Sequence, residues 1–142
     1  MGPSLLKSLF RPRWPALAVS CLLGVLIVTH IPQQFMPRTP PGGYFDKIEH
    51  ALAYGGTTLL FVLSLRWPIR PGVLAVVLLG LAAIGGLDEM TQPWVNRIAS
   101  VADFAADLAG IVVVGAVSFF GQRRWRQAGR PSPSTLVAGE AD

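Results

Sequence analysis

The stretch PGVLAVVLLGLAAIGGLDEMTQ, residues 71–92, decides the fold. It is apolar from Pro71 to Leu87 and then turns polar at Asp88, Glu89 and Gln92. A run of this kind approaches the ~20 residues with which a helix crosses a hydrocarbon layer about 30 Å thick. Three other runs share its character: Trp14–Thr29, His50–Trp67 and Asp103–Phe120. Several of the four have strictly apolar cores that fall short of a full crossing. They reach it only when polar residues at one end are included, which predicts polar side chains at the ends of the spans.

Composition agrees with this reading. Of the 142 residues, 51% are hydrophobic and only 14% charged, against about 25% charged in ordinary soluble domains. A soluble domain of this size buries only about two-thirds of its chain surface, too little to hide so much apolar area from water. Lipid is the alternative solvent. The formal charge of +4 does not point to nucleic acid, because the basic residues flank apolar runs and form no stripe. The single cysteine, Cys21, excludes an internal disulfide and a cysteine-built metal site. It lies within an apolar run and reads as a packing residue.

Lys7, Arg11 and Arg13 before the first run give it the layout of a signal peptide. No A-x-A-type site follows, and Ala18-Val19-Ser20-Cys21 makes a poor lipoprotein signal, so a retained helix is expected. Ile31 to Phe45, with Pro32, Pro37, Pro40, Pro41, Gly42 and Gly43, reads as an irregular loop. Residues 66–71, RWPIRP, read as a tight hairpin, and Pro93 as the stop of the third helix.

Orientation follows from the positive residues. With four crossings, Lys7, Arg11, Arg13, Arg66, Arg70, Arg123, Arg124, Arg126 and Arg130 share one side, and only Arg38, Lys47 and Arg97 lie opposite. Trp14, Trp67 and Trp125 fall at the cytoplasmic ends and Trp94 at the outer end, as interfacial anchors do. The expected fold is therefore all-α: a polytopic membrane protein with a four-transmembrane-helix bundle, both termini inside, in the plasma (inner) membrane. Its helices are expected at about 14–31, 48–67, 71–92 and 103–120. A cytoplasmic segment, 1–13, precedes them, and a disordered cytoplasmic tail, 121–142, follows.

Apart from Glu140 and Asp142 in the tail, all the acids (Asp46, Glu49, Asp88, Glu89, Asp103 and Asp107) fall at the outer ends of the second, third and fourth helices. His50, Tyr54, Gln92 and Arg97 join them. Helical spacing puts Asp46, His50, Tyr54 and Thr57 on one face, Gly85, Asp88, Glu89 and Gln92 on another, and Asp103, Asp107 and Gly110 on a third. Ala102, Ala106 and Gly110 form a small-residue track suited to close helix approach. Some of these residues have a simpler reading. Asp46 and Glu49 fit a capping-box-like helix start, as do Ser100 and Asp103, and Tyr54 can be an interfacial aromatic. Asp107 resists it, since an ionised acid a turn inside a span costs about 2.5–3.5 kcal/mol at mid-bilayer. Asp88 and Glu89 resist it too, because a helix C-terminus disfavours anions. Arg97, Lys47 and protonated His50 are the candidate partners. The outward helix N-termini also favour a bound anionic group.

The order Asp46-Lys47-x-x-His50-x-x-Ala53-Tyr54, then Asp88-Glu89-x-x-Gln92, then Arg97-x-x-Ser100-x-x-Asp103-x-x-x-Asp107-x-x-Gly110 resembles the VanZ-like family, over about residues 45–114. The resemblance implies a small four-helix bacterial membrane protein of the kind associated with teicoplanin resistance. The family pattern usually has asparagine where this chain has Asp107, which makes that position titratable here. The resemblance brings no defined biochemical activity.

Two functions compete. In the first, the chain is a non-enzymatic envelope accessory factor influencing teicoplanin-like susceptibility. The polar cluster then comprises Asp46, Lys47, His50, Tyr54, Asp88, Glu89, Gln92, Arg97, Ser100, Asp103 and Asp107, and the partners are membrane lipids, a lipid-linked cell-wall precursor or another envelope protein. No cofactor and no resident metal belong to this reading. In the second, the chain is a membrane-embedded enzyme acting on an envelope lipid. His50, Asp46 and Glu89 are then the catalytic candidates, with His50 as acid or base oriented by Asp46. Glu89, Asp103 and Asp107 could ligate a divalent metal, and Arg97 and Lys47 could hold a phosphate. An ion pathway lacks polar residues at the inner side, since 72–84 and 111–117 carry no charge.

Overall fold

The computed structural model describes residues 14–35 and 43–128. Among them are four α-helices: α1, Trp14–Thr29; α2, Tyr44–Ser64; α3, Pro71–Thr91; and α4, Val101–Ala128. Short 3-10 turns lie at Gln33–Phe35 and Gln92–Val95. The predicted segment 1–13, the centre of the first loop at 36–42, and 129–142 lie outside the described residues.

The expected bounds need correction at several ends: α1 stops at Thr29 rather than about 31, and α2 at Ser64 rather than about 67. α2 begins at Tyr44 rather than near residue 48, with Gly43 as its N-cap and no side-chain cap bond. Asp46 and Glu49 therefore stand inside the helix and cap nothing. α3 stops at Thr91, and its last turn tightens into the 3-10 turn around Pro93. α4 continues through Gln122, Arg123, Arg124 and Arg126 to Ala128, so the first part of the predicted disordered tail is helix. Straight-chain Gln and Arg side chains lose little rotamer freedom in a helix, and Arg126 sits in the last turn, where the helix dipole favours cations.

α3 with its 3-10 extension, Pro71–Val95, and α4 over Val101–Gln127 are each long and apolar enough to cross a membrane. α1 is apolar but has only 16 residues, a rise of about 24 Å. α2 has 21 residues, but Asp46, Lys47, Glu49 and His50 occupy its first two turns.

The helices run up and down. The ends of α1 and α3 and the starts of α2 and α4 meet at one end of the bundle, as the Thr29–Asp88 and Lys47–Asp103 bonds require. α2 and α4 form the most extensive pair, with α1 against α2 and α3 against α4. The α2–α4 crossing is close because it is built on glycine. A Cβ on Gly110 would overlap the Ala51 carbonyl oxygen and stand 2.9 Å from Gly55 N. Small residues at crossings let helix backbones touch in lipid, where packing rather than water exclusion drives association. Ala102, the first residue of the predicted small-residue track, is exposed; the contact is made by Gly110.

The core is layered. Val62, Leu65, Ile69 and Leu74 pack at the hairpin end, which Gln122 fastens by accepting the Ile69 N–H at 2.6 Å. Tyr54, Leu81 and Ile111 fill the middle. Beyond them the interior is polar: His50, Asp88, Glu89, Gln92, Asp103 and Asp107 are all buried. The outside is the reverse, with Ile27, Leu52, Val76, Leu79, Val113 and Val117 exposed.

Candidate functional site

The polar layer is assembled from the starts of α2 and α4 and the ends of α1 and α3. Its centre is His50. Its face of α2 turns toward α4 because Ala51, Gly55 and Gly110 hold the two helices together one turn below. His50 Nδ1–H donates to Asp107 Oδ1 at 2.9 Å, and Glu89 Oε1 lies 3.9 Å from the same nitrogen. Asp107 is thus the carboxylate that orients His50. Asp46, expected in that role, makes no hydrogen bond to the ring among the described residues, although ligand atoms of Asp46, His50 and Asp103 lie within 4.8 Å of one another.

Lys47, one residue along, reaches Asp103 Oδ1 with its ammonium at 2.8 Å.

Glu89 takes an unexpected part. Ser100 Oγ accepts the Asp103 N–H at 3.3 Å, as half of a capping box does. The reciprocal half comes from another helix, since the Ser100 N–H donates to Glu89 Oε2 at 2.8 Å. Gln92 Nε2 donates to Glu89 Oε1 at 3.0 Å. Asn96 makes this reach possible. It takes left-handed backbone angles, φ 57°, which asparagine tolerates better than most side chains, and turns the chain back toward α3.

Asp88 faces α1 instead. Thr29 Oγ1 donates to Asp88 Oδ1 at 2.7 Å, and His30 Nδ1 lies 3.2 Å from the same oxygen. His30 Nε2 is 2.9 Å from Thr91 Oγ1. Thr29, His30 and Thr91 were not singled out in the sequence. The signal was available, since Thr29 and His30 are the polar residues that end the first apolar run. Neither acid near the end of α3 is paired with Arg97, whose guanidinium instead reaches the Val28 carbonyl at 3.5 Å. Arg97 is therefore removed from the carboxylate cluster and from the phosphate-binding pair proposed with Lys47.

Three buried polar atoms find no hydrogen-bond partner among the described residues: the Tyr54 hydroxyl, Asp88 Oδ2 and Asp107 Oδ2. They belong to one region. A Cβ on Gly85 would stand 3.3 Å from Tyr54 Cε1 and 3.5 Å from Asp107 Oδ2, and Asp88 lies about one turn further along the same helix. Tyr54 is fully buried, which corrects the interfacial reading. Nine of the eleven predicted site residues thus form the polar layer, Tyr54 lies beneath it in the middle of the core, and Arg97 stands apart.

Comparison with protein-family models, curated proteins and solved structures finds no match to this chain.

Proposed function

We propose that the chain is a multi-pass protein of the bacterial plasma membrane, VanZ-like in its motifs, that acts without turnover as an accessory factor in envelope or glycopeptide susceptibility. The observation that carries the membrane part is the inverted distribution of polarity. Carboxylates, hydroxyls and amides fill the interior while branched aliphatic side chains cover the outside of all four helices. In water this arrangement would expose apolar surface and bury charge, both costly; in lipid it satisfies both. Counting α1 and α2 as crossings rests on the same pattern, with the Lys/Arg bias setting the direction.

The accessory reading is supported by closure of the layer. His50, Glu89, Asp103 and Asp107 are each under 10% exposed and are bonded to one another or to neighbouring backbone. His50 itself is 7% exposed, which leaves little surface for the substrate contact that an acid–base catalyst requires. The polar layer then locks the outer ends of the helices together and presents a fixed outer surface to a lipid-linked precursor or an envelope partner.

The test is a deletion and complementation series read as inhibitory concentrations of teicoplanin, vancomycin and an agent with an intracellular target. The expected result is a change confined to envelope-directed agents and restored by the parent chain. Unchanged susceptibility to every envelope agent would overturn the reading.

A further inference from the structure

The layer holds more carboxyl groups than cationic side chains among the described residues. Asp88, Glu89, Asp103 and Asp107 are buried and Asp46 is half-buried. Lys47 pairs with Asp103, His30 stands beside Asp88, and His50 beside Asp107 and Glu89. A buried ionised acid without a full partner is costly in a water-poor interior.

Geometry shows where a counter-charge belongs. Two triads in this layer bring ligand atoms within 4.8 Å of one another, and both contain His50. The triad with Asp46 and Asp103 is already answered by the Lys47 ammonium. The triad of His50, Glu89 and Asp107 is buried throughout and has no lysine or arginine on it. Its donors are spaced as ligands of one ion, with His50 Nδ1 2.9 Å from Asp107 Oδ1 and 3.9 Å from Glu89 Oε1. An ion about 2.0–2.2 Å from each donor needs them about 3–4 Å apart.

A second observation concerns the oxygen of Asp107 that does not face His50. The Asp107 side chain is 0% exposed, yet its Oδ2 has no partner. The Tyr54 hydroxyl, on a residue 0% exposed, has none either, and its ring lies against Gly85 beside that oxygen. Groups so deeply buried are ordinarily satisfied.

We propose that His50 Nδ1, Glu89 and Asp107 hold one divalent transition-metal ion, of the class of Zn²⁺ or Mn²⁺. One imidazole and two carboxylates suit these ions better than Ca²⁺, which prefers an all-oxygen shell. The ion takes the place of the proton His50 shares with Asp107 and supplies positive charge to a triad that has no lysine or arginine on it. It joins α2, α3 and α4 at one point. The assignment stands on local geometry and does not depend on the cellular role above.

The experiment uses the full chain in detergent micelles, purified with a tag that binds no metal and without chelator. Metal content is measured by mass spectrometry, and Tm with added Zn²⁺, Mn²⁺ or EDTA. The expected result is about one equivalent of metal per chain and a Tm that EDTA lowers and the ion restores. Glu89→Gln and Asp107→Asn lose the equivalent. Co²⁺ replacement gives a visible band in the parent that Asp107→Asn lacks, so an unstable Glu89 variant does not decide the matter. Metal well below one equivalent, with Tm indifferent to both ions and to EDTA, overturns the proposal. So does an Asp107→Asn protein that keeps the metal.

Discussion

Replacing Gly110 by alanine tests whether the α2–α4 crossing is set by backbone contact. The added methyl overlaps the Ala51 carbonyl oxygen and lies 2.9 Å from Gly55 N and 3.0 Å from Ala51 C. All three atoms are backbone, so no rotamer change relieves the overlap and the helices must separate. Overpacking a tight site costs about 1–3 kcal/mol, and a clash against backbone belongs at the top of that range. Alanine returns about 0.5–1 kcal/mol through helix propensity, leaving a net loss of about 2 kcal/mol. Separation also strains the bonds one and two turns above, His50–Asp107 at 2.9 Å and Lys47–Asp103 at 2.8 Å. Gly56→Ala is the control, because its new Cβ meets nothing within 4 Å; it is expected to gain the propensity term alone, about 0.5–1 kcal/mol. Thermal or denaturant unfolding of the two proteins in the same detergent should move them in opposite directions. If Gly110→Ala unfolds with or after Gly56→Ala, the crossing is not held by this contact and the account of the site's position fails.

Other outcomes are open to direct measurement. Gln122→Leu leaves the Ile69 N–H, now bonded at 2.6 Å, without its acceptor, and is expected to cost about 1–3 kcal/mol in an unfolding titration; an unchanged midpoint would remove Gln122 as the fastener of the hairpin end. Thr29→Val deletes the 2.7 Å bond to Asp88 while keeping side-chain volume, and should lower stability by a similar ~1–3 kcal/mol because a buried acceptor loses its donor. Proteolysis near the α1–α2 loop should then quicken if α1 loosens, and an unaltered rate would place α1's anchorage elsewhere. In a Cys21→Ser background, a cysteine at exposed Glu49 should react with a membrane-impermeant maleimide on intact cells, and one at exposed Arg70 only after lysis. Labelling of both positions on intact cells, or the reverse order, would refute the four-crossing orientation.

Much of the layer was legible because helical spacing is rigid. Asp46, His50, Tyr54 and Thr57 had to share a face of α2, and Asp103, Asp107 and Gly110 a face of α4, wherever those faces pointed. The partners were not legible. Arg97 is near Asp88 and Glu89 in sequence, but the turn at Asn96 directs it to the Val28 carbonyl. Glu89 finds the start of α4, and Asp88 finds α1, because adjacent residues on a helix point about 100° apart and so meet different neighbours.

By itself, the sequence determined that the elements are helices, that they are strongly apolar, and that six of the acids collect at one end of them, since apolar content and charge position are properties of a linear chain. Only the tertiary structure decided which carboxylate each histidine meets, that Glu89 completes the cap of another helix, and that Tyr54, Asp88 and Asp107 converge with three oxygens unpartnered. Those pairings depend on how closely two helices approach and how each is rotated. Here that is fixed by one contact, Gly110 against the backbone of Ala51 and Gly55, across a sequence separation that no local pattern spans.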